Sequence, residues 1–205
     1  MALTSLAAAK QMVEPLKVYS IAVTLACIHG TQPALADVKE KYTHEFYEAY
    51  QQPGRTLLEA LDAATPTHKG GKHYHGLTRW KIRWDFEWTL LPSRLCQITS
   101  VTTSLSIHMI LPRLKATTPV GSFEFTKYFN ALRTHEEGHR AIAQKAAFEV
   151  DRAIAGLRRA EHCQALEQEA NQIGMAIIKR ANEADLEYDV LTQSGCTQGA
   201  CLPFQ

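Results

Sequence analysis

The sequence predicts an α+β fold in which a twisted antiparallel sheet is followed by two long antiparallel helices. Three observations carry that expectation. Between Thr78 and Trp88 the chain alternates between apolar or hydroxyl residues and charged ones, the period of a strand with one buried face. From about residue 123 the apolar positions recur at three- and four-residue steps, the period of a helix. The composition changes near residue 120 from β-rich to helix-rich, with no repeat, low-complexity tract or linker, so residues 37–205 read as one α+β domain.

The N-terminal segment is read separately. Lys10 and Lys17 precede the apolar run VYSIAVTLACI at 18–28, which is followed by a polar turn and QPALADV, where Ala34 and Ala36 form an AxA-type site. A bilayer needs roughly 20 apolar residues, so the run is too short to span. Its flanks have the order of a secretory signal. Residues 1–36 are therefore expected to be a signal peptide cut after Ala36, leaving a periplasmic or secreted protein with no membrane attachment. A buried first helix is the rival reading, and the long stretch ahead of the apolar run points to Met12 as an alternative start.

Composition adds exclusions. The 205 residues are 45% hydrophobic and 21% charged, ordinary values for a soluble globular chain. With 22 basic against 21 acidic residues and a net charge of +1, no whole-chain field draws the protein to nucleic acid or an anionic surface. Once Cys27 leaves with the signal, Cys96, Cys163, Cys196 and Cys201 remain. Export makes two disulfides the expectation. Four cysteines allow three pairings, and the closeness of Cys196 to Cys201 favours a local loop, leaving Cys96 for Cys163. A four-thiolate metal site is disfavoured because no CxxC pair occurs.

Along the chain, TLLEALDAAT at 56–65 follows the turn signal QQPG and reads as a short amphipathic helix, and PTHKGGKHYHG at 66–76 reads as a glycine-rich loop. In the strand that follows, Thr78, Trp80, Ile82, Trp84, Phe86 and Trp88 share one face, with Arg79, Lys81, Arg83, Asp85 and Glu87 on the other. The tryptophans could line a ligand groove, but packing against helices is what an aromatic row opposite a charged row is expected to do. A second strand runs from Cys96 to Leu111. Cys96 and Ile98 occupy one phase and Val101, Thr103, Leu105, Ile107 and Met109 the other, so a bulge is expected near Thr99 or Ser100. Helical spacing then continues to about Leu157, and after a break near RRAEHC a second helix is expected from about Glu161 to Glu187.

The first long helix contains LRTHEEGHRAI at 132–142, and with it the pattern HExxH. Side chains at i and i+4 project from successive turns on one face, so His135 and His139 are both within reach of one ion. Glu136, about 100° further round, reaches a water on that ion instead. Glu137 points elsewhere and is expected to be solvated. Nine histidines make a chance match on a surface helix the alternative. Against chance stand the length of the helix, the position of His139 on its buried stripe, and Gly138 in its interior. A glycine there costs roughly 0.5–1 kcal/mol relative to alanine, so either close approach of backbone or substrate or a packing contact with the sheet is expected.

A catalytic zinc takes three protein ligands and keeps one open position, so a third ligand is needed. The second helix returns antiparallel and draws level with HExxH near residues 181–189, which admits Asp185, Glu187 and Asp189. Asp189 stands where the helix is expected to end and a short carboxylate can turn inward. Glu167 and Glu169 fall too far away. Among the other histidines, His73 and His75 could line the cleft but are expected to be loop residues, and His108 and His162 are expected in structural roles.

Gly70 and Gly71, GLTRWKIRW at 76–84, Cys96, ILP at 110–112, HEEGH at 135–139, Cys163 and YDVLTQSGCTQGA at 188–200 carry a resemblance. With these the chain is similar to a bacterial domain-of-unknown-function family of predicted secreted zinc-dependent proteases, placed among the HExxH metallopeptidases. The likeness covers most of the chain after residue 36. The Tyr-Asp pair followed by Thr and a later Gly is the family's C-terminal signature and resembles the aspartate-bearing segment of aspzincin proteases. It implies a zincin-like fold, Zn2+ as cofactor, Asp189 as third ligand beside His135 and His139, and a peptide or protein substrate. The family pattern commonly has a histidine before the glycine at 195. Ser194 stands there, so if that histidine holds metal or steadies an oxyanion, this member is either weakened or relies on another group, Tyr188 or His75.

The expected chemistry is zinc-assisted amide hydrolysis with Glu136 as general base and acid. A metallopeptidase-like binding module of the cell envelope, weakly active or inactive, is the competing class, and hydrolysis of cell-wall peptide amides shares the chemistry.

Overall fold

The computed structural model describes residues 38–115 and 119–202, all within one compact unit, Ala34–Gln205. The expected signal peptide, its cleavage point at Ala36 and the alternative start at Met12 lie outside the described residues. Among the described residues no helix is long and apolar enough to cross a membrane.

β1 (Val38–Tyr50) is followed by α1 (Leu57–Ala64), the short strands β2 (Thr67–Lys69) and β3 (Lys72–Tyr74), then β4 (Leu77–Leu90) and β5 (Cys96–Lys115). Two long helices close the chain, α2 (Pro119–Ala155) and α3 (Cys163–Thr192), before a 3-10 turn at Cys196–Gln198. α1 forms where the sequence predicts it. Thr56 caps it, its Oγ1 accepting from the Glu59 N–H while Glu59 Oε2 accepts from the Thr56 N–H at 2.8 Å, a reciprocal pair that satisfies two orphan donors. The expected loop at 66–76 is instead a hairpin, because Gly70 and Gly71 take positive φ of 58° and 77°, the turn geometry that matches strand twist.

β4 alternates as its sequence requires, with Thr78 and Ile82 buried and Arg79, Lys81, Arg83, Asp85 and Glu87 exposed. It pairs antiparallel with β5. The register runs from Leu77 opposite Ile110 to Glu87 opposite Ser100, then Trp88 opposite Ile98, so Thr99 is the extra residue of a bulge. The two apolar phases of β5 meet at that residue, where the bulge was expected.

The sheet is not wholly antiparallel. Its order is β1-β5-β4, and β1 runs parallel to β5 from Val38 opposite Thr103 to Tyr50 opposite Lys115. This corrects the expected antiparallel sheet. β1 is an exposed edge strand whose sequence, VKEKYTHEFYEAY, puts charged or polar residues in both phases, so no alternation marks it. The long excursion through α1, β2, β3 and β4 returns the chain in the direction of β1, as a parallel neighbour requires.

Both long helices pack on one face of this sheet. Leu105 and Ile107 from β5 meet Ala143, Ala146, Ala147, Val150 and Ile154 from α2 and Ala170, Ile177 and Ala181 from α3. Small residues at these contacts let the backbones approach closely. α3 runs antiparallel to α2, with His139 beside Asp185 at one level and Glu149 paired with Arg180 at another. The disulfide Cys96–Cys163, with Cα atoms 5.1 Å apart, ties the start of β5 to the start of α3, and Cys196–Cys201 closes the C-terminal loop. Both pairings agree with the sequence reading. In the chain-entropy picture the 67-residue closure contributes about 4 kcal/mol.

Trp84 packs on Gly174 of α3, and its indole N–H donates to Asn171 Oδ1 at 3.1 Å. A Cβ at Gly174 would lie 2.5 Å from the indole ring. Gly174→Ala gains up to about 1 kcal/mol of helix propensity but forces a bonded indole aside, an overpacking cost of roughly 1–3 kcal/mol. Thermal unfolding is expected to show a lower Tm for Gly174→Ala than for the wild type; a higher Tm would mean that the indole yields freely.

Candidate metal centre

α2 presents His135, Glu136 and His139 to the interior, 4%, 4% and 7% exposed. The two imidazoles come together because the helix brings i and i+4 onto one face, with His135 Nε2 and His139 Nε2 3.3 Å apart. α3 supplies the third group, the carboxylate of Asp189 from its last turn. Its Oδ1 lies 3.1 Å from His135 Nε2 and 3.2 Å from His139 Nε2. These three donors lie within 4.8 Å of one another.

Outer partners set the direction in which each imidazole donates. His139 Nδ1 faces Asp185 Oδ1 at 2.9 Å, and Asp185 in turn accepts from the Trp80 indole N–H at 3.4 Å. His135 Nδ1 faces Gln198 Oε1 at 3.0 Å, while the same amide donates through Nε2 to Tyr188 Oη at 2.9 Å, which fixes its orientation. With both Nδ1 atoms donating, both Nε2 atoms carry a lone pair toward Asp189 Oδ1. A proton shared among three such atoms satisfies one pair well and leaves the third acceptor facing acceptors. A tetrahedral ion with bonds of 2.0–2.1 Å separates its donors by about 3.3 Å, so the donor set and its spacing fit a zinc ion.

Local sequence builds this geometry. Tyr188 stacks on His135 with ring centroids 5.1 Å apart and meets His139 edge-on at 5.0 Å. Its hydroxyl rests where a Cβ of Gly138 would be, so the interior glycine serves neither substrate nor sheet but the tyrosine of α3. Gly195, at φ 87°, backs the His135 ring, and the following turn carries Gln198 between the two cysteines of the local disulfide.

Glu136 turns from the donor triangle toward β4. Thr78 Oγ1 donates to its Oε2 at 2.7 Å, and Gly76 leaves room for Oε1 where a side chain would overlap it. Burial pushes its carboxyl up to about 7; the Thr78 bond and His139 oppose that rise, and the charges of Asp189 and Asp185 add to it. Burial and the neighbouring His139 lower the pKa of His135 against the pull of Gln198 and Asp189. Burial also works to lower the pKa of His139, but Asp185, Glu136 and Asp189 outweigh it and the net direction is upward.

The cleft over these groups is small, about 120 Å³, and its walls include Gly76, Thr78, Glu136, Asp185, Asp189 and Ser194. A larger cavity of about 720 Å³, walled by α1, Tyr128 and the disulfide-closed turn, shares no lining residue with it. Converging polar groups mark the chemistry better than volume does, and they are in the smaller space.

Residues 44–195 match a bacterial protein family of unknown function, DUF922. The chain belongs to that family. No curated protein and no solved structure matches it. Within this family member the expected ligands His135, His139 and Asp189 are brought together, and Asp185 stands behind His139 instead of among them. Glu187, Glu167 and Glu169 are exposed. Glu137 is not simply solvated, since its carboxylate accepts from Tyr42 Oη at 2.7 Å and from Arg140 at 3.2 Å. His75 is held by Asp62 and Tyr128 at 2.7 and 2.6 Å, so it has no free nitrogen to offer the cleft, and His73 faces the Asp62 carbonyl. Gln198 and Thr78 carry roles that periodicity could not assign; the one signal for Gln198 was its place between two nearby cysteines.

A carboxyl whose pKa rises on folding contributes stability that is fully present below its unfolded pKa and is lost as pH rises through the folded value. Glu136 rises from about 4.3 unfolded to about 7. In chelator-treated protein, Glu136→Gln is expected to match the wild type near pH 4 and to exceed it near pH 8, by on the order of 3 kcal/mol. Thermal melts at the two pH values check this, and equal differences at both would contradict the buried charge.

Proposed function

We propose that this chain is an exported zinc peptidase that hydrolyses amide bonds, with His135, His139 and Asp189 holding the metal and Glu136 as general base. One observation carries the reading: three lone-pair donors from two helices converge at 3.1–3.3 Å with a buried carboxyl beside them. The two disulfides support export to an oxidising compartment. A zinc ion held there supplies a Lewis acid that polarises a carbonyl and lowers the pKa of water toward 7.

The chain's own groups do the proton work. A nearby dication draws the Glu136 pKa down again, so the carboxylate is ionised at neutral pH. Glu136 takes a proton from the water that adds to the carbonyl carbon and returns it to the nitrogen as the C–N bond breaks. Thr78 fixes the carboxylate through Oε2 and leaves Oε1 for that traffic. Gln198 and Asp185 hold the imidazoles in the donating tautomer. A second reading, a metal-loaded binding module of the envelope without turnover, rests on the small volume of the cleft and on Ser194 in its wall.

Zinc titration beside hydrolysis of a peptide library separates the two. Glu136→Gln should keep full zinc and lose roughly 100- to 10,000-fold in kcat, whereas His139→Ala and Asp189→Ala should lose zinc. Full zinc in the wild type without any hydrolysis that depends on Glu136 would favour the binding module. Gln198→Ala should weaken zinc about 10- to 100-fold in chelator competition; unchanged affinity would show that the His135 Nδ1 bond does not orient the ring.

A further inference from the structure

The near-neutral sum of charges conceals a segregation. On the sheet face turned away from the helices, register rows cross the strands as Lys41–Ser106–Lys81 and Thr43–His108–Arg79, and Ser104 stands opposite Arg83 in the next row. Lys41, Arg79, Lys81 and Arg83 are exposed, and none has an ion-pair partner among the described residues. No acid stands in those rows. Glu45, which accepts from His108 at 2.9 Å, lies at one end, and Asp85 and Glu87 lie toward the other. A depression of about 330 Å³ opens among Lys41, Thr43, Arg79, Lys81, Ser106 and His108.

Neighbouring strands lie about 4.8 Å apart and alternate residues about 7 Å apart, so these cations occupy a patch roughly 10 by 14 Å. Like charges at that spacing repel one another. The fold gains nothing from them, because Trp80, Ile82, Leu105 and Ile107 on the opposite phase do the packing. We infer that this face docks the chain on the phosphate headgroups of an anionic lipid bilayer. Its charge complements such a surface, and the Ser106 hydroxyl between Lys41 and Lys81 suits phosphate oxygens. These rows hold no Phe, Tyr or Trp on which a base could stack, which argues against single-stranded nucleic acid. An open depression does not enclose a small free anion. Docking through this face leaves the helical layer and the metal cleft turned to solvent, so the inference stands whether or not zinc is bound.

The test is co-sedimentation of the full chain with phosphatidylglycerol vesicles at low and high salt. Phosphatidylcholine vesicles measure what the apolar segment 18–28 contributes, and titration with inorganic phosphate covers a free anion. Each cation near an anionic surface is worth about fivefold in binding. The triple variant Lys41→Ala, Arg79→Ala, Lys81→Ala should therefore bind about a hundredfold more weakly. Removal of Arg133, Lys145 and Lys179 from the helical layer should cost less than about tenfold. If the triple variant melts early, Lys81→Gln alone should show about a fivefold loss. No preference for the anionic vesicles, equal losses in both triple variants, or saturable binding of phosphate without vesicle binding would each overturn the assignment.

Discussion

The close approach of α3 to α2 is the constraint on which the rest of the molecule depends. The two imidazoles of α2 need no help to share a face, but a carboxylate meets them only if the returning helix lies near and in register. Alanines at 143, 146, 147, 170 and 181 make the two helices slim where they meet each other and the sheet, and Gly138 lets Tyr188 lie flat against α2. The disulfide between Cys96 and Cys163 anchors the far end of α3, and the short loop closed by Cys196 and Cys201 anchors the near end through Gln198. Register error of one residue in α3 would turn Asp189 about 100° away from the pair.

That geometry is electrostatically expensive without a cation. Asp185, Asp189 and Glu136 crowd two histidines, and the raised pKa values of Glu136 and His139 record the protein's partial answer, which is to hold protons. A ligand that binds only the folded state stabilises it in proportion to the logarithm of its concentration over Kd. A cation bound at this centre would therefore stabilise the fold and relieve the repulsion among the acids that surround it.

Legibility followed the strength of the local pattern. HExxH, the alternation of β4, the bulge at Thr99 and the two helices were readable because each rests on a short-range period that tertiary contacts do not override. β1 was not, since an edge strand with polar residues in both phases has no period to read, and its parallel pairing depends on contacts far along the chain. The hairpin at Gly70–Gly71 passed for a loop because its strands are only three residues each. At the centre, counting residues along two antiparallel helices narrowed the third donor to three acids, and the C-terminal likeness to aspzincins separated Asp189 from Asp185. Gln198 and Thr78 act through geometry across the fold, which spacing does not encode. Glu137 points away from the donor triangle as expected, but the bond it accepts from Tyr42 comes from β1, whose sequence has no period to read.

The sheet separates two faces of different character: packed aromatic and aliphatic side chains with the donor triangle on one, and exposed cations with hydroxyls on the other. The account stands or falls on the donor triangle. The most direct measurement is X-ray absorption at the zinc edge of the purified, zinc-loaded protein. Two imidazole nitrogens and carboxylate or water oxygens at about 2.0–2.2 Å are the predicted shell. Scattering without imidazole, or a sulfur shell near 2.3 Å, would contradict it.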